Sequence, residues 1–248
     1  MAPDNHMTAD AFRRHQRLMM IDAFRGVAIV MMVAFHYCLD LSKFGLTDFD
    51  FYHDPFWLYT RTLILSSFLF LVGVSLFLAM RSGLNLHRYL RRLGYLVAAA
   101  LLVSTSTWWV FGDRFVFFGV LHFIALASVL GLPFLRAGWL NLPLGIVIIV
   151  LAGMYQSPWF DETGRRWIGL MTHKPVTEDY VPLFPWFGVV LLGLFAAPGV
   201  RRLADRAQPY CHGAVPNWLA VAGRHSLLIY LLHQPLLIGG LMLYVKLR

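Results

Sequence analysis

The chain has 248 residues and a net charge of +8, is 58% hydrophobic and only 14% charged, and has a mean hydropathy of +0.62. A soluble domain of this length needs more charge on its surface, so a soluble globular fold is excluded. The basic residues sit in short loops between apolar runs, where membrane topology accounts for them and nucleic-acid binding does not.

Residues 1–17, MAPDNHMTADAFRRHQR, are polar and basic and read as a cytoplasmic tail. Residues 18–248 read as a single transmembrane domain. Hydropathy predicts apolar spans over 20–39, 59–80, 93–111, 115–135, 139–155, 181–197 and 225–246. The predicted fold is an all-α polytopic bundle of about seven transmembrane helices, with the lipid bilayer as its solvent. The one long polar connection, residues 156–180, reads as a loop.

Arg13, Arg14 and Arg17 precede the first span, and Arg81, Arg88, Arg91 and Arg92 lie between the second and third. Arg136 follows the fourth, and Arg201, Arg202, Arg206 and Arg224 lie between the sixth and seventh. All these regions share one side, which the positive-inside rule makes cytoplasmic. Asp40, Asp48, Asp50, Asp54, Asp113, Asp161, Glu162, Glu178 and Asp179 fall on the other. The N-terminus is then inside and the C-terminus outside. Cys38 and Cys211 fall at opposite faces, which excludes a bridge between them and a cysteine-based zinc site.

The first span, IDAFRGVAIVMMVAFHYCLD, carries Asp22, Arg25 and His36. Arg25 and His36 lie within about 20° of each other around the helix and about 16 Å apart along it. Ionisable groups inside a span normally face protein or a wet cavity, so this face predicts a polar path. The bland alternatives are an Asp22–Arg25 pair that snorkels to the interface and a structural histidine.

His53 and Asp54 stand in the following acidic loop, where a carboxylate beside an imidazole can set its tautomer. Arg61 lies early in the second span and is placed to pair with these acids or to meet an anionic acceptor. His122 is expected about 10 Å inside the outer end of the fourth span. His233 is expected near the middle of the seventh, followed by Gln234 and Pro235. Intramembrane histidines are site candidates, and hydrogen bonding to a neighbouring helix is the competing account. Phe184, Pro185 and Trp186 read as an interfacial anchor. On the cytoplasmic side Arg25, Arg91, Arg92, Arg224 and His225 form a candidate phosphate-binding cluster. No phosphate-loop, H-E-x-x-H or G-x-S-x-G motif occurs.

The run IDAFRGVAIVMMVAFH resembles the first helix of membrane-bound acyltransferases. In the acyltransferase-3 family an arginine precedes the catalytic histidine by a spacing like that between Arg25 and His36. With the following FYHDPFWLYTRTLILSSFLFLVGVSLFLAM, the chain is more similar to the bacterial DUF1624 family and the heparan-α-glucosaminide N-acetyltransferase catalytic domain. Weaker similarity extends through GVLHFIALASVL, LFPWFGVVLLG and GRHSLLIYLLHQPLL. His53 takes the place of that family's loop histidine, and the lysosomal member has asparagine where this chain has His36.

The resemblance implies a membrane acyltransferase using cytoplasmic acetyl-CoA or another acyl-CoA, with no metal expected. It implies a carbohydrate acceptor outside, and a bacterial cytoplasmic membrane fits the compact chain. His53, His36 and Asp54 are then the catalytic candidates. Arg25, Arg224, Arg91 and Arg92 are the donor-binding candidates, and Arg61, His122, His233 and Asp22 line the substrate path. A histidine acting as general base and a covalent acyl-histidine both remain open. So do pairing into a homodimer, a proton-coupled transporter and a b-type haem protein.

Overall fold

A computed structural model describes residues 5–81, 85–207 and 217–247. Cys211 lies outside the described residues, as do the side chains of Arg13, Arg14, Arg17 and Arg81. The elements are α1 (Asn5–Lys43), α2 (Pro55–Arg81), α3 (Leu86–Phe111), α4 (Val120–Phe134), α5 (Asn141–Met154), α6 (Leu183–Ala207), α7 (Asn217–Arg224) and α8 (Ser226–Leu247). Five segments are long and apolar enough to span a membrane: Met19–Lys43, Pro55–Ala79, Leu86–Arg114, Leu183–Arg206 and Ser226–Leu247. Two shorter apolar helices, Val120–Phe134 and Gly138–Met154, complete the expected set of seven. This is an all-α, multi-pass membrane protein.

α1 begins at Asn5, so the helix extends back into the polar N-terminal segment. One expectation needs correction. The fourth span was expected from residue 115, yet α4 starts at Val120 and has 15 residues, about 22 Å of helix against a hydrocarbon core of about 30 Å. The apolar residues before it are extended instead: Phe118 bridges to Tyr180, and the Val181 N–H donates to the Phe118 carbonyl at 3.1 Å. Hydropathy counts those phenylalanines as span because it does not register their backbone conformation.

The chain divides into two compact units, residues 1–68 with 199–248, and residues 69–198. In the first, α1 has two apolar faces. Ile21, Ala28, Ile29, Met32 and Phe35 are buried, whereas Phe24, Val27, Val30 and Tyr37 are exposed on the other side, as a lipid-facing stripe requires. Glycine lets α7 approach α1 closely: a Cβ on Gly26 would collide with the Leu219 carbonyl, and one on Gly223 with the Asp22 carbonyl. Phe51 and Trp57 pack on Phe35 with ring centroids 5.4 and 5.8 Å away, tying the loop after α1 to its C-terminal end. α2 then starts with Pro55 in its first turn, and the Asp54 carboxylate accepts the Phe56 N–H at 2.9 Å.

In the second unit the backbones also meet at glycines. Gly73 lies against Val190, Gly193 against Phe70, and Gly145 against Gly188. Leu69, Val74, Phe123, Ala127, Val190 and Leu191 form the buried interior. Residues 156–180 lack a long helix but are organised by short 3-10 turns and specific contacts. The Asp161 carboxylate accepts both the N–H and the hydroxyl of Thr172, at 2.8 and 2.6 Å. The Thr172 hydroxyl is the larger cause that holds this carboxyl below the usual range. Tyr180 donates to the Arg166 carbonyl at 2.7 Å, and burial pushes its phenol up to about 12.

Candidate functional site

The candidate site is built on the packed face of α1. Toward the N-terminal end of its apolar span Arg25 donates to Asp22 at 2.9 Å, and both side chains are largely shielded. Arg224, on the last turn of α7, lies within electrostatic reach of the same carboxylate. Arg224 and the adjoining His225 are exposed. A cluster of guanidinium groups against a single acid retains a net positive field, which suits a polyphosphate. Arg91 and Arg92 are exposed on α3 and belong to the other compact unit.

Three turns above Arg25, past buried Ile29 and Met32, stands His36. Its Nδ1 lies 2.9 Å from the Met32 carbonyl. A carbonyl oxygen only accepts, so Nδ1 carries the proton and Nε2 of the neutral ring presents a lone pair. His36 is half-buried and faces α8, where the His233 ring meets it edge-on at 4.9 Å between centroids. His233 is only 8% exposed. Its Nδ1 donates to the Tyr230 carbonyl at 2.6 Å, and its buried Nε2 has no hydrogen-bond partner among the described residues. One turn further along α1, fully buried Asp40 accepts from Gln234 Nε2 at 3.2 Å. Two helices from opposite ends of the sequence thus share a polar cluster of His36, Asp40, His233 and Gln234.

The sequence suggested Asp54 as the carboxylate serving His53. The structure places Asp50 there, 2.9 Å from His53 Nδ1, and Asp54 caps α2 instead. Asp50 also accepts the N–H groups of Tyr52 and His53. The Tyr52 N–H is the largest of the influences that hold its carboxyl below the usual range, with the His53 ring acting in the same direction. This turn borders an open pocket of about 530 Å³ lined by Ser42, Lys43, Thr47, Asp48, Asp50 and Tyr52, among others. His53 itself is 85% exposed. Its loop is held near His36 through Phe35, which touches both the His36 ring and Phe51. Arg61 is exposed on α2 and makes no ion pair among the described residues.

His122 does not sit deep in a span. It lies in the first turn of α4, in the second unit. Its Nδ1 accepts the Gly119 N–H at 3.3 Å, so Nε2 carries the proton and donates to Ser104 Oγ at 3.0 Å. Ser104 in turn donates to the Val116 carbonyl at 2.6 Å. Every polar atom of that imidazole is engaged in fastening a helix start, so its contacts account for His122 without a substrate.

Asp50, Asp40 and Gln234 gained their roles only from the fold. The D-x-x-H spacing of Asp50 and His53 is a recognisable Asx-turn signal, but the Asp40–Gln234 contact has no local signature. No match was found among curated proteins or among solved structures. The family model described as heparan-alpha-glucosaminide N-acetyltransferase, catalytic, matches residues 17–235, from the start of the α1 polar face through His36, His53, Arg224 and His233, and the chain belongs to that family.

Proposed function

We propose that this membrane acetyltransferase takes an acetyl group from cytoplasmic acetyl-CoA and transfers it to the amine or hydroxyl of a sugar or glycan on the extracytoplasmic side. The thioester supplies an activated acyl carbon and a thiolate leaving group. Arg25 and Arg224 hold the donor's phosphates at the cytoplasmic end of α1, and Asp22 keeps the Arg25 guanidinium in place. Arg91 and Arg92 remain candidates for the same task. The orientation follows from the distribution of arginines in the loops.

His36 acts as general base. The acceptor N–H or O–H gives its proton to Nε2 as the nucleophile attacks the acyl carbon, the C–S bond breaks, and the proton passes to the departing thiolate. His53, oriented by Asp50, binds and orients the acceptor beside the outer pocket, with Arg61 further along the entry path. The observation that carries this reading is the 2.9 Å contact of His36 Nδ1 with the Met32 carbonyl, which assigns the proton to Nδ1 and a lone pair to Nε2, on the same helix face as Arg25. A covalent acyl-histidine is the less economical variant, because direct transfer needs one fewer step.

Incubation of membranes with isotopically labelled acetyl-CoA and a panel of glycan acceptors, followed by mass spectrometry, tests the proposal. An acetylated glycan that disappears with His36→Ala is the expected result. Absence of any acetylated acceptor, with donor intact, overturns it.

A further inference from the structure

We infer that His233 is a positioning residue for His36, fixing the ring and favouring the protonated state that His36 passes through. This rests on the proposed function, which uses His36 as the base but gives His233 no task beyond lining the path.

The two imidazoles are set in the same way from opposite helices. Each donates Nδ1–H to a backbone carbonyl about one turn back on its own helix, Met32 for His36 and Tyr230 for His233. Each therefore turns a lone pair, not a proton, outward at Nε2. The rings meet at 4.9 Å with planes 66° apart. A lone buried histidine used only as filler would have both nitrogens satisfied, as His122 does. His233 instead keeps a buried Nε2 without a partner among the described residues. An unpaired polar atom in a shielded place has a cost, and such costs are retained where a group is needed during function.

The physical effect has two parts. Ring contact limits the rotation of His36, which stands between Phe35 on its own helix and His233 on α8. When His36 accepts the nucleophile's proton, its positive charge lies against an electron-rich, neutral imidazole in a medium that screens little. The proton balance is unchanged: it is taken from the acceptor, held on His36 and returned to the thiolate, while His233 neither gains nor loses one. The other titratable groups around the pair are Asp40 on α1, held by Gln234, and Tyr230 on α8, whose ring lies 5.7 Å from His233.

The test uses the full chain in detergent, with His233→Leu and His233→Gln, both of which remove the ring. Nitrogen-15 spectra of histidine-labelled protein read the tautomer of His36 directly. Wild type is expected in the Nδ1–H form, and His233→Leu, which frees the His36 ring to turn away from the Met32 carbonyl, is expected to convert part of the population to the other tautomer. Transfer from labelled acetyl-CoA to glucosamine, the sugar in the family's description, is read in parallel. kcat should fall about tenfold in His233→Leu with the donor KM unchanged, an effect on the transition state and not on binding. His233→Gln, which keeps a polar group without an imidazole ring, should recover only part of the loss. An unaltered His36 tautomer in both variants, or wild-type kcat in His233→Leu, overturns the inference. If wild type transfers nothing to any acceptor, the proposed function falls, and the spectra alone then decide whether His233 sets His36.

Discussion

His36 and His53 are both imidazoles held at Nδ1, with no Nε2 contact among the described residues, yet they are held by opposite means. His36 is gripped by a helix carbonyl and aromatic rings in a shielded contact between α1 and α8. His53 is 85% exposed and is held by a carboxylate that is itself half in water. An exposed ion pair stabilises little and is screened by salt. A shielded ring in contact with fixed neighbours loses little entropy when it reacts. Packing makes His36 the stiffer ring and leaves His53 the more adaptable one, which matches the proposed roles of a base and of a group that meets acceptors from solution.

Substitutions can break that contrast. The largest effect is expected for His36→Ala, which should lower acetyl transfer by about 100-fold or more, the scale of a lost general base. Size-exclusion profiles should stay unchanged, and an equal loss from His53→Ala would place both rings in the chemical step. Asp40→Ala comes next. It strands Gln234 in a shielded contact and should cost about 2 kcal/mol of stability, read by thermal unfolding in detergent. A similar drop in unfolding temperature for Asp50→Ala would erase the distinction between the buried and exposed clusters. Arg25→Ala should raise the donor KM about tenfold with kcat nearly unchanged, as expected for a charge-assisted contact made equally before and during reaction.

The smallest effect concerns acid. Asp50 titrates below the ordinary carboxylate range because the Tyr52 N–H and the His53 ring favour its ionised form. The contribution to folding from a depressed carboxyl is present above its unfolded value and lost as pH falls through the folded one. The Asp50–His53 turn should therefore persist past the pH at which a free aspartate protonates and open only below it. Carbon-13 shifts of the Asp50 carboxyl follow that opening, and titration at the ordinary value would show the turn to be absent in solution.

Much of the architecture was legible in the sequence because lipid imposes a simple rule: long apolar runs become helices. Arg25 and His36 share a helix face by spacing alone, and their segment does fold as one continuous α1. The start of α4 escaped because Phe115, Phe117 and Phe118 are as apolar as a span while their backbone is not helical and Phe118 bridges to Tyr180. Asp54 was chosen over Asp50 because adjacency in sequence is visible and a reversing turn is not. The meeting of His36 with His233 needed the whole fold, since no periodicity relates residues on helices so far apart in the chain.

That separation also affects how the molecule is made. Asp40 and Gln234 are 194 residues apart, roughly 10–40 s of synthesis at ordinary elongation rates. For that interval the opening helix sits in the bilayer without the amide that later binds its carboxylate, and without the second imidazole. An ionisable group near the end of a span can keep water as its partner meanwhile, so this end of α1 acquires its contacts to His233 and Gln234 only when α8 is inserted. A nonsense codon ahead of α8 would therefore do its greatest damage at the other end of the polypeptide, in the first segment to have been inserted.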